Sequence, residues 1–143
     1  MEESRAIGGM TLFLSRLAEA QALDGKTAEA LGTVEKALQA NPMELYVRPE
    51  TLRIRGELRL RQEQVEAAEV DFRDSIALAQ KHGARAWELR STMSLARMLR
   101  TRGEHTAARK LLAPIYGWFT EGFDTADLKD AKALLEELSN PLR

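Results

Sequence analysis

A Gly-Lys-Thr triplet is the first feature of this sequence that could do chemistry, because phosphate-binding loops end in these residue types. Such a loop needs a further glycine before Gly25-Lys26-Thr27, with four residues between, and it has to follow a strand. Ala20 stands at that position, inside a pattern typical of a helix. We therefore expect the triplet to form a turn between two helices and to bind no nucleotide.

The other residue types suited to catalysis or metal binding do not occur at useful spacings. His82 and His105 are 23 residues apart, and each is expected near a helix end, where a histidine can interact with the helix dipole. Carboxylate pairs such as Glu66 and Glu69 look like solvated helix faces, since an acid–base pair needs an apolar cleft. The absence of cysteine excludes thiol nucleophiles, disulfides and cysteine-bound zinc. We expect no enzymatic activity, no metal and no cofactor.

The composition of the chain indicates an all-helical domain. Ala, Leu, Glu and Arg supply 73 of 143 residues, whereas Val and Ile supply eight, and sheets favour β-branched residues. The length favours one domain over residues 1–143 with a core of its own. No apolar run approaches the roughly 18 residues of a membrane span, and Met1-Glu2-Glu3 is a poor start for a signal peptide. We expect a cytoplasmic protein.

The net charge of −1 is the sum of three unequal segments. Residues 1–50 carry −3, residues 51–110 carry +5, and residues 111–143 carry −3. The surplus in the central segment is mostly arginine, which pairs in bidentate fashion with carboxylates as readily as with phosphates. The distribution favours contacts with proteins and lacks the clustered positive field of a dedicated DNA-binding protein.

Small residues recur at separations of 38 and then 40 residues, which predicts a helical repeat. Each repeat would pair two antiparallel helices at a close crossing. Larger residues (Val34, Phe72 and Leu112) would fill the space between one pair and the next. The recurring small residues form two sets, which are Ala18, Gly56 and Ala96, and Ala30, Ala68 and Ala108.

This pattern resembles the tetratricopeptide repeat, whose template includes a turn glycine, A-x3-F and a terminal proline. Gly25, Ala30, Val34 and Pro42 match it best. The resemblance implies an all-α, right-handed α-solenoid of about three helix hairpins plus a C-terminal capping helix, about seven helices in all. The repeats would cover approximately residues 8–42, 45–83 and 84–117, followed by an aromatic linker and capping helix over 118–140.

Residues 45–138 carry a second, narrower resemblance, which is most specific in the stretch YGWFTEGFDT that begins at Tyr116. They are similar to the C-terminal tetratricopeptide region of large bacterial signalling proteins. Those proteins carry an adenylate/guanylate cyclase domain or a winged-helix DNA-binding domain, followed by an ATPase module. This sequence departs from that family where Glu63 replaces the expected turn glycine and Arg59 stands where leucine is usual. The resemblance implies a helical tail that senses or binds a partner.

By the same resemblance, the first helix of each repeat lines a concave groove, which is the predicted partner-binding site. Its arginine-rich floor suits a peptide with an acidic segment or a C-terminal carboxylate. Glu57 lies four residues from both Arg53 and Arg61, so the alternative is that these charges only pair on a solvated helix. The predicted groove residues are Arg53, Glu57, Arg61, Arg90, Met93, Arg97 and Arg100.

Half of the eight aromatic residues fall within eight positions, at Tyr116, Trp118, Phe119 and Phe123. One interpretation is an aromatic patch that anchors a partner. The interpretation that we favour is a plug that fills the apolar end of the third repeat beneath the last helix, because the segment joins two amphipathic helices that have to pack. Gly117 and Gly122 would then supply turns.

The sequence thus predicts a non-catalytic protein–protein interaction module from a bacterial signalling or regulatory protein. The expected partner is a protein or peptide, with a homodimer left open, and not a membrane. The alternative is an anionic ligand or nucleic acid bound by the arginine-rich central segment, although nucleic acid is disfavoured by the dispersed charge.

Overall fold

The computed structural model describes residues 2–40 and 46–140, with side chains from residue 10 onward. Within these residues the chain forms seven α-helices and no strand, so the all-α class predicted from composition is confirmed. The helices are α1 (Glu2–Leu23), α2 (Thr27–Ala40), α3 (Arg48–Arg61), α4 (Val65–Lys81), α5 (Arg85–Thr101), α6 (His105–Trp118) and α7 (Ala126–Ser139). Pro42, the predicted end of the first repeat, lies outside the described residues.

Four connections between consecutive helices use the same tight turn. In each, a residue with positive φ follows the helix, and the next amide N–H donates to the carbonyl oxygen five residues earlier. Gly25-Lys26-Thr27 is such a turn, as expected, and Glu63 adopts the conformation in place of a glycine. The turn residues are Gly25 (φ 78°), Glu63 (φ 61°), Gly83 (φ 66°) and Gly103 (φ 81°).

The recurring small residues lie where helices approach closely. All six are buried, and so are the larger residues between the pairs, Val34, Phe72 and Leu112. At the crossing of α3 and α4 the Phe72 ring lies directly against Gly56. Burial of both sets agrees with the predicted roles of small and large residues, and the Gly56–Phe72 contact shows the close approach directly at one of these positions.

The helices pack in chain order, and each contacts the next one along the chain. Two apolar clusters form the core. One joins α1, α2 and α3 around Val34 and Leu58, and the other joins α4 to α7 around Phe72, Leu99 and Leu112. None of the helices in the described ranges combines the length and the apolar character needed to cross a bilayer.

The segment after Pro114 differs from the prediction at Gly117. α6 continues through Pro114 and ends at Trp118, so Gly117 lies within the helix and makes no turn. Gly122 does make one, with a φ of 80°. Thr125 then caps α7 by accepting a hydrogen bond from the backbone N–H of Leu128. α7 packs on α5 and α6 through one apolar face, with Leu128, Leu134 and Leu138 buried.

Candidate functional site

The odd-numbered helices form one continuous face, which we call the odd-helix face. α3 contacts both α1 and α5, and α5 also contacts α7. Among the described residues, α2, α4 and α6 make no such contacts with one another. The odd-helix face therefore collects side chains from four helices, and it holds the predicted groove residues.

A buried carboxylate lies at this face. Glu50, in the first turn of α3, is completely buried and accepts a hydrogen bond from Arg53 Nε at 2.6 Å. Arg16 of α1 lies 3.1 Å from the same carboxylate, and Arg90 of α5 also donates to it. A buried charge is tolerated when it is paired and hydrogen-bonded, and these three guanidinium groups meet that condition. Glu50 thus ties α1, α3 and α5 together.

The arginines also keep Glu50 ionised. Burial by itself raises the pKa of this carboxyl. The hydrogen bond from Arg53, the positive charges of Arg53 and Arg90 and the hydrogen bond from Arg16 lower it further than burial raises it, so that the pKa of Glu50 lies below its ordinary value. Arg53 and Arg90, two predicted groove residues, are therefore held by a carboxylate whose ionised form they stabilise.

A second buried carboxylate explains the unusual Arg59. Asp71 of α4 is 1% exposed, and it accepts hydrogen bonds at 2.9 Å from both Arg55 and Arg59 of α3. Arg55 reaches further to Glu35 of α2, also at 2.9 Å. Arg59, which stands where the resemblance predicts leucine, therefore has a buried partner, and its contact with Asp71 joins α3 to α4.

Two more predicted groove arginines are bound within the chain. Arg61 donates to the backbone carbonyl of Ala22 at 2.7 Å, which ties α3 to the end of α1. Arg100 pairs with Glu137 of α7. The predicted contact residue Met93 is 3% exposed and belongs to the apolar core, so its side chain is not available to a partner.

Arg97 differs from the other predicted groove arginines. It is exposed, and its guanidinium group has no hydrogen-bond or ion-pair partner among the described residues, although its backbone carbonyl accepts from the Thr101 hydroxyl. It lines a cavity of about 330 Å³ whose other walls are Glu19, Leu23, Arg53, Ile54, Glu57, Leu58 and Arg61. It also borders a cavity of about 260 Å³ between α5 and α7, lined by Arg100, Asp130, Ala133, Leu134 and Glu137. Arg97 therefore stands between two depressions of the odd-helix face.

The internal pairing changes the electrostatic character expected of the groove. The floor is rich in arginine as predicted, but Glu50 and Glu137 form ion pairs with Arg90 and Arg100. Asp127 lies more loosely against Arg90, at 3.7 Å from its Nε. These three carboxylates lie outside residues 51–110, so their contacts offset part of the surplus of +5 in that segment.

Two of the four aromatic residues of this segment are half-buried and two are exposed, so the segment is only in part the predicted plug. Tyr116 and Phe119 are half-buried and pack against the apolar core, as the plug interpretation predicts. Trp118 is 54% exposed and Phe123 is 46% exposed. Edge-to-face contacts join Trp118 to Phe119 and Tyr116 to Phe123, with centroid distances of 5.2 and 6.0 Å. Tyr116 and Phe119 therefore contribute to the core, whereas Trp118 and Phe123 are exposed to solvent.

The exposed part of this segment borders a cavity of about 600 Å³, which we call the linker cavity. It lies between the start of α5, the end of α6 and the start of α7. Its walls are formed by Ala86, Leu89, Trp118, Phe119, Thr120, Glu121, Gly122, Thr125, Asp127 and Leu128.

The residues considered for catalysis are not brought together. His82 caps the end of α4, whereas His105 begins α6. Over the described part of the chain, no group of three or more histidine, aspartate and glutamate side chains is arranged to hold a metal ion.

Sequence reasoning missed Glu50, Asp71 and Asp127. The spacing of Glu50 and Arg53 is that of an ordinary helix pair, and nothing in it indicates that Glu50 is buried. The partners Arg16 and Arg90 lie 34 and 40 residues away. The separation of 40 matches the repeat period, so the period is the one signal that could have pointed to the Glu50–Arg90 contact.

Comparison of the chain with protein-family models, with curated proteins and with solved structures finds no match. These comparisons assign no family, and the resemblance to tetratricopeptide proteins stays a prediction. The function of the chain has to be argued from its own geometry.

Proposed function

We propose that this chain is a tetratricopeptide-like helical-repeat module that binds a segment of another protein on its odd-helix face. The observation that carries the proposal is Arg97, an exposed cation without a partner in the described residues, placed between two cavities of a face to which four helices contribute. The module is non-catalytic. By resemblance, it is the sensing or partner-binding tail of a bacterial cytoplasmic signalling protein.

The contact pattern supports a solenoid, and the right hand of that solenoid is what the resemblance implies. In such an architecture the first helix of every pair faces the inner, concave side, where successive first helices touch one another. Contacts among α1, α3, α5 and α7, without contacts among the even-numbered helices of the described chain, fit that arrangement. Seven helices in this order fit three helix pairs, α1–α2, α3–α4 and α5–α6, with α7 as the cap.

The face is suited to a partner that carries an acidic group. A carboxylate of the partner could form a bidentate pair with Arg97, which has no internal carboxylate to displace. The apolar walls next to it, Leu23 and Ile54, would receive a neighbouring apolar side chain. Glu57 on the same wall would repel a second acidic group of the partner. The partner segment could therefore bind only in the register that places its acidic group at Arg97.

Binding of nucleic acid or of another anionic ligand is the second candidate, and the ion pairs weigh against it. Such binding needs cations that can neutralise phosphates, whereas Arg53, Arg90 and Arg100 already hold carboxylates. If arbitrary duplex DNA bound at low salt and its affinity fell steeply with salt, this candidate would replace the proposed one.

A displayed library of random peptides tests the proposed function. We expect the folded chain to enrich related peptides that contain an acidic residue, and we expect Arg97→Glu to abolish their binding. Arg109→Glu is the matched control, because Arg109 is an exposed arginine of α6 outside the odd-helix face. Enrichment of no peptide, or of peptides equally affected by the two variants, would contradict the proposal.

A further inference from the structure

The linker cavity combines an apolar interior with a negatively charged rim. Its volume of about 600 Å³ falls within the range of ligand-binding pockets. A cavity of this volume has room for two adjacent side chains of a partner. The interior surface comes from Ala86, Leu89 and Leu128 together with the aromatic rings of Trp118 and Phe119. The rim carries two carboxylates, Glu121 and Asp127, and no cation is part of the lining.

The two carboxylates, Glu121 and Asp127, make few contacts with cations of the chain itself. Asp127 lies 3.7 Å from Arg90 Nε, beyond hydrogen-bond distance, and Arg90 is already bound to Glu50. The Asp127 side chain is 42% exposed. Glu121 is exposed and has no ion-pair partner in the described part of the molecule. A cation that enters the cavity would thus meet the exposed carboxylate of Glu121 and the loosely paired carboxylate of Asp127.

The ring of Trp118, which lines the linker cavity, already contacts one cation of the chain. The guanidinium carbon of Arg85 lies 5.3 Å from the centroid of the Trp118 ring, which is a cation–π distance. Arg85 itself is not a lining residue, and it is held outside by an ion pair with Glu88 at 3.0 Å. The chain therefore already places one cation against this ring, and Trp118, which is 54% exposed, also lines the cavity.

The start of α7 opposes a cation here, but its influence is small. Backbone N–H groups at a helix start favour anions. At α7 the hydroxyl of Thr125 already accepts from the backbone N–H of Leu128, and Asp127 supplies a full negative charge within the first turn. Two carboxylates outweigh a partial positive charge of about half a unit.

We infer that the linker cavity binds an apolar side chain of the partner protein followed by a lysine or arginine. The apolar side chain enters against Leu89 and Leu128, while the cation lies at Glu121 and Asp127 beside the ring of Trp118. This deepens, and rests on, the proposed function, because it names a second contact of the same partner. With its acidic group at Arg97 and its cationic group at the linker cavity, the partner segment would bind along α5 in one orientation.

The two indole signals of the chain offer a direct test. The protein has two tryptophans, and Trp87 lies outside the cavity, in edge-to-face contact with Tyr46. The ¹⁵N-labelled chain is titrated with a capped peptide in which leucine precedes lysine in a glycine–serine frame. Trp118→Phe assigns the signals. We expect the Trp118 indole signal to move in a saturable manner and the Trp87 signal to stay in place.

Two changes of charge define the specificity. Replacing the lysine of the peptide by glutamate should weaken binding at least about fivefold, because an exposed cation–π contact and an exposed ion pair are each worth a factor of a few. Glu121→Lys in the protein should weaken binding of the lysine peptide similarly. Glu136→Lys, an equal change of charge at an exposed residue of α7 outside the cavity, should leave it unchanged.

The outcomes separate this inference from the proposed function. A Trp118 signal that stays fixed, or that moves equally with the glutamate peptide, overturns the inference. If displayed peptides that depend on Arg97 are enriched while Trp118 does not respond, the inference falls and the proposed function stands. If neither experiment gives binding, both fall.

Discussion

The Phe72 ring occupies the space in which any side chain on Gly56 would have to lie. A Cβ at Gly56 would meet Phe72 Cε1 at 2.4 Å, a distance that real Cβ atoms do not adopt. Phe72 is completely buried, so the ring has no solvent to move into. The crossing of α3 and α4 therefore depends on the absence of one methyl group.

Gly56→Ala should destabilise the protein by about 1–3 kcal/mol, because overpacking a rigid crossing forces the ring or the helices apart. Gly32→Ala is the matched control, since Gly32 lies in α2 with no atom near its would-be Cβ. That change should stabilise by about 0.5–1 kcal/mol through helix propensity. Chemical denaturation measures both, and equal effects of the two variants would contradict the close crossing.

Glu63→Gly should stabilise the protein by about 1 kcal/mol. Glu63 has a φ of 61°, which costs a side-chain-bearing residue about 1–2 kcal/mol, part of which the greater freedom of glycine in the unfolded chain offsets. Glu66→Gly, three residues later on the exposed side of α4, should destabilise by up to about 1 kcal/mol. Thermal melts of the two variants should shift in opposite directions, and a loss of stability in both would refute the turn.

Glu50→Gln should destabilise by about 3 kcal/mol, near the lower end for removing one partner of a buried ion pair, because Arg16 and Arg90 can still reach water. Glu57→Gln is the same change on the same helix at a carboxylate without a direct partner in the described residues. It should alter the free energy of unfolding by less than about 0.5 kcal/mol. Similar effects of the two variants in urea denaturation would argue against the cluster.

The stability contributed by Glu50 should vanish in acid. Its folded-state pKa lies below the value in the unfolded chain, near 4.3. The contribution is therefore fully present above about pH 4.3 and is lost as the pH falls through the lower folded-state pKa. Unfolding free energies measured from pH 7 down to pH 2 should show the wild type and Glu50→Gln converging at the acid end. Parallel curves would show that Glu50 is not held in its ionised form.

Much of the architecture could be predicted from the sequence because it depends on local patterns. Helix formers with few β-branched residues specify an all-helical chain, and the spacing of Ala30, Ala68 and Ala108 specifies where helices cross. The turn predicted at Gly117 is wrong, since this glycine lies within α6. Glycine is compatible with both a turn and a helix, and its surroundings in the folded structure decide between the two.

The predicted groove residues could be assigned to helices from the sequence, but their charge pairing could not. Arg53, Arg90 and Arg100 lie on the odd-numbered helices α3 and α5. Their partners Glu50 and Glu137 come from other turns or other helices, and a formal count of charges cannot reveal which of them meet. Met93 shows the same limit, since only the packed structure shows that it belongs to the apolar core.

The sequence by itself determined the helices, their turns and the residues of close crossing, because these depend on propensity, on backbone freedom and on side-chain size. The tertiary structure decided which charges are neutralised and which remain open, because a charge of one helix is paired by residues that are distant in the chain. It thereby left Arg97 with an unpaired side chain among the predicted groove arginines and left Trp118 exposed in the aromatic segment. The electrostatic character of the odd-helix face is a property of helix packing, because the sequence supplies only the groups that the packing brings together.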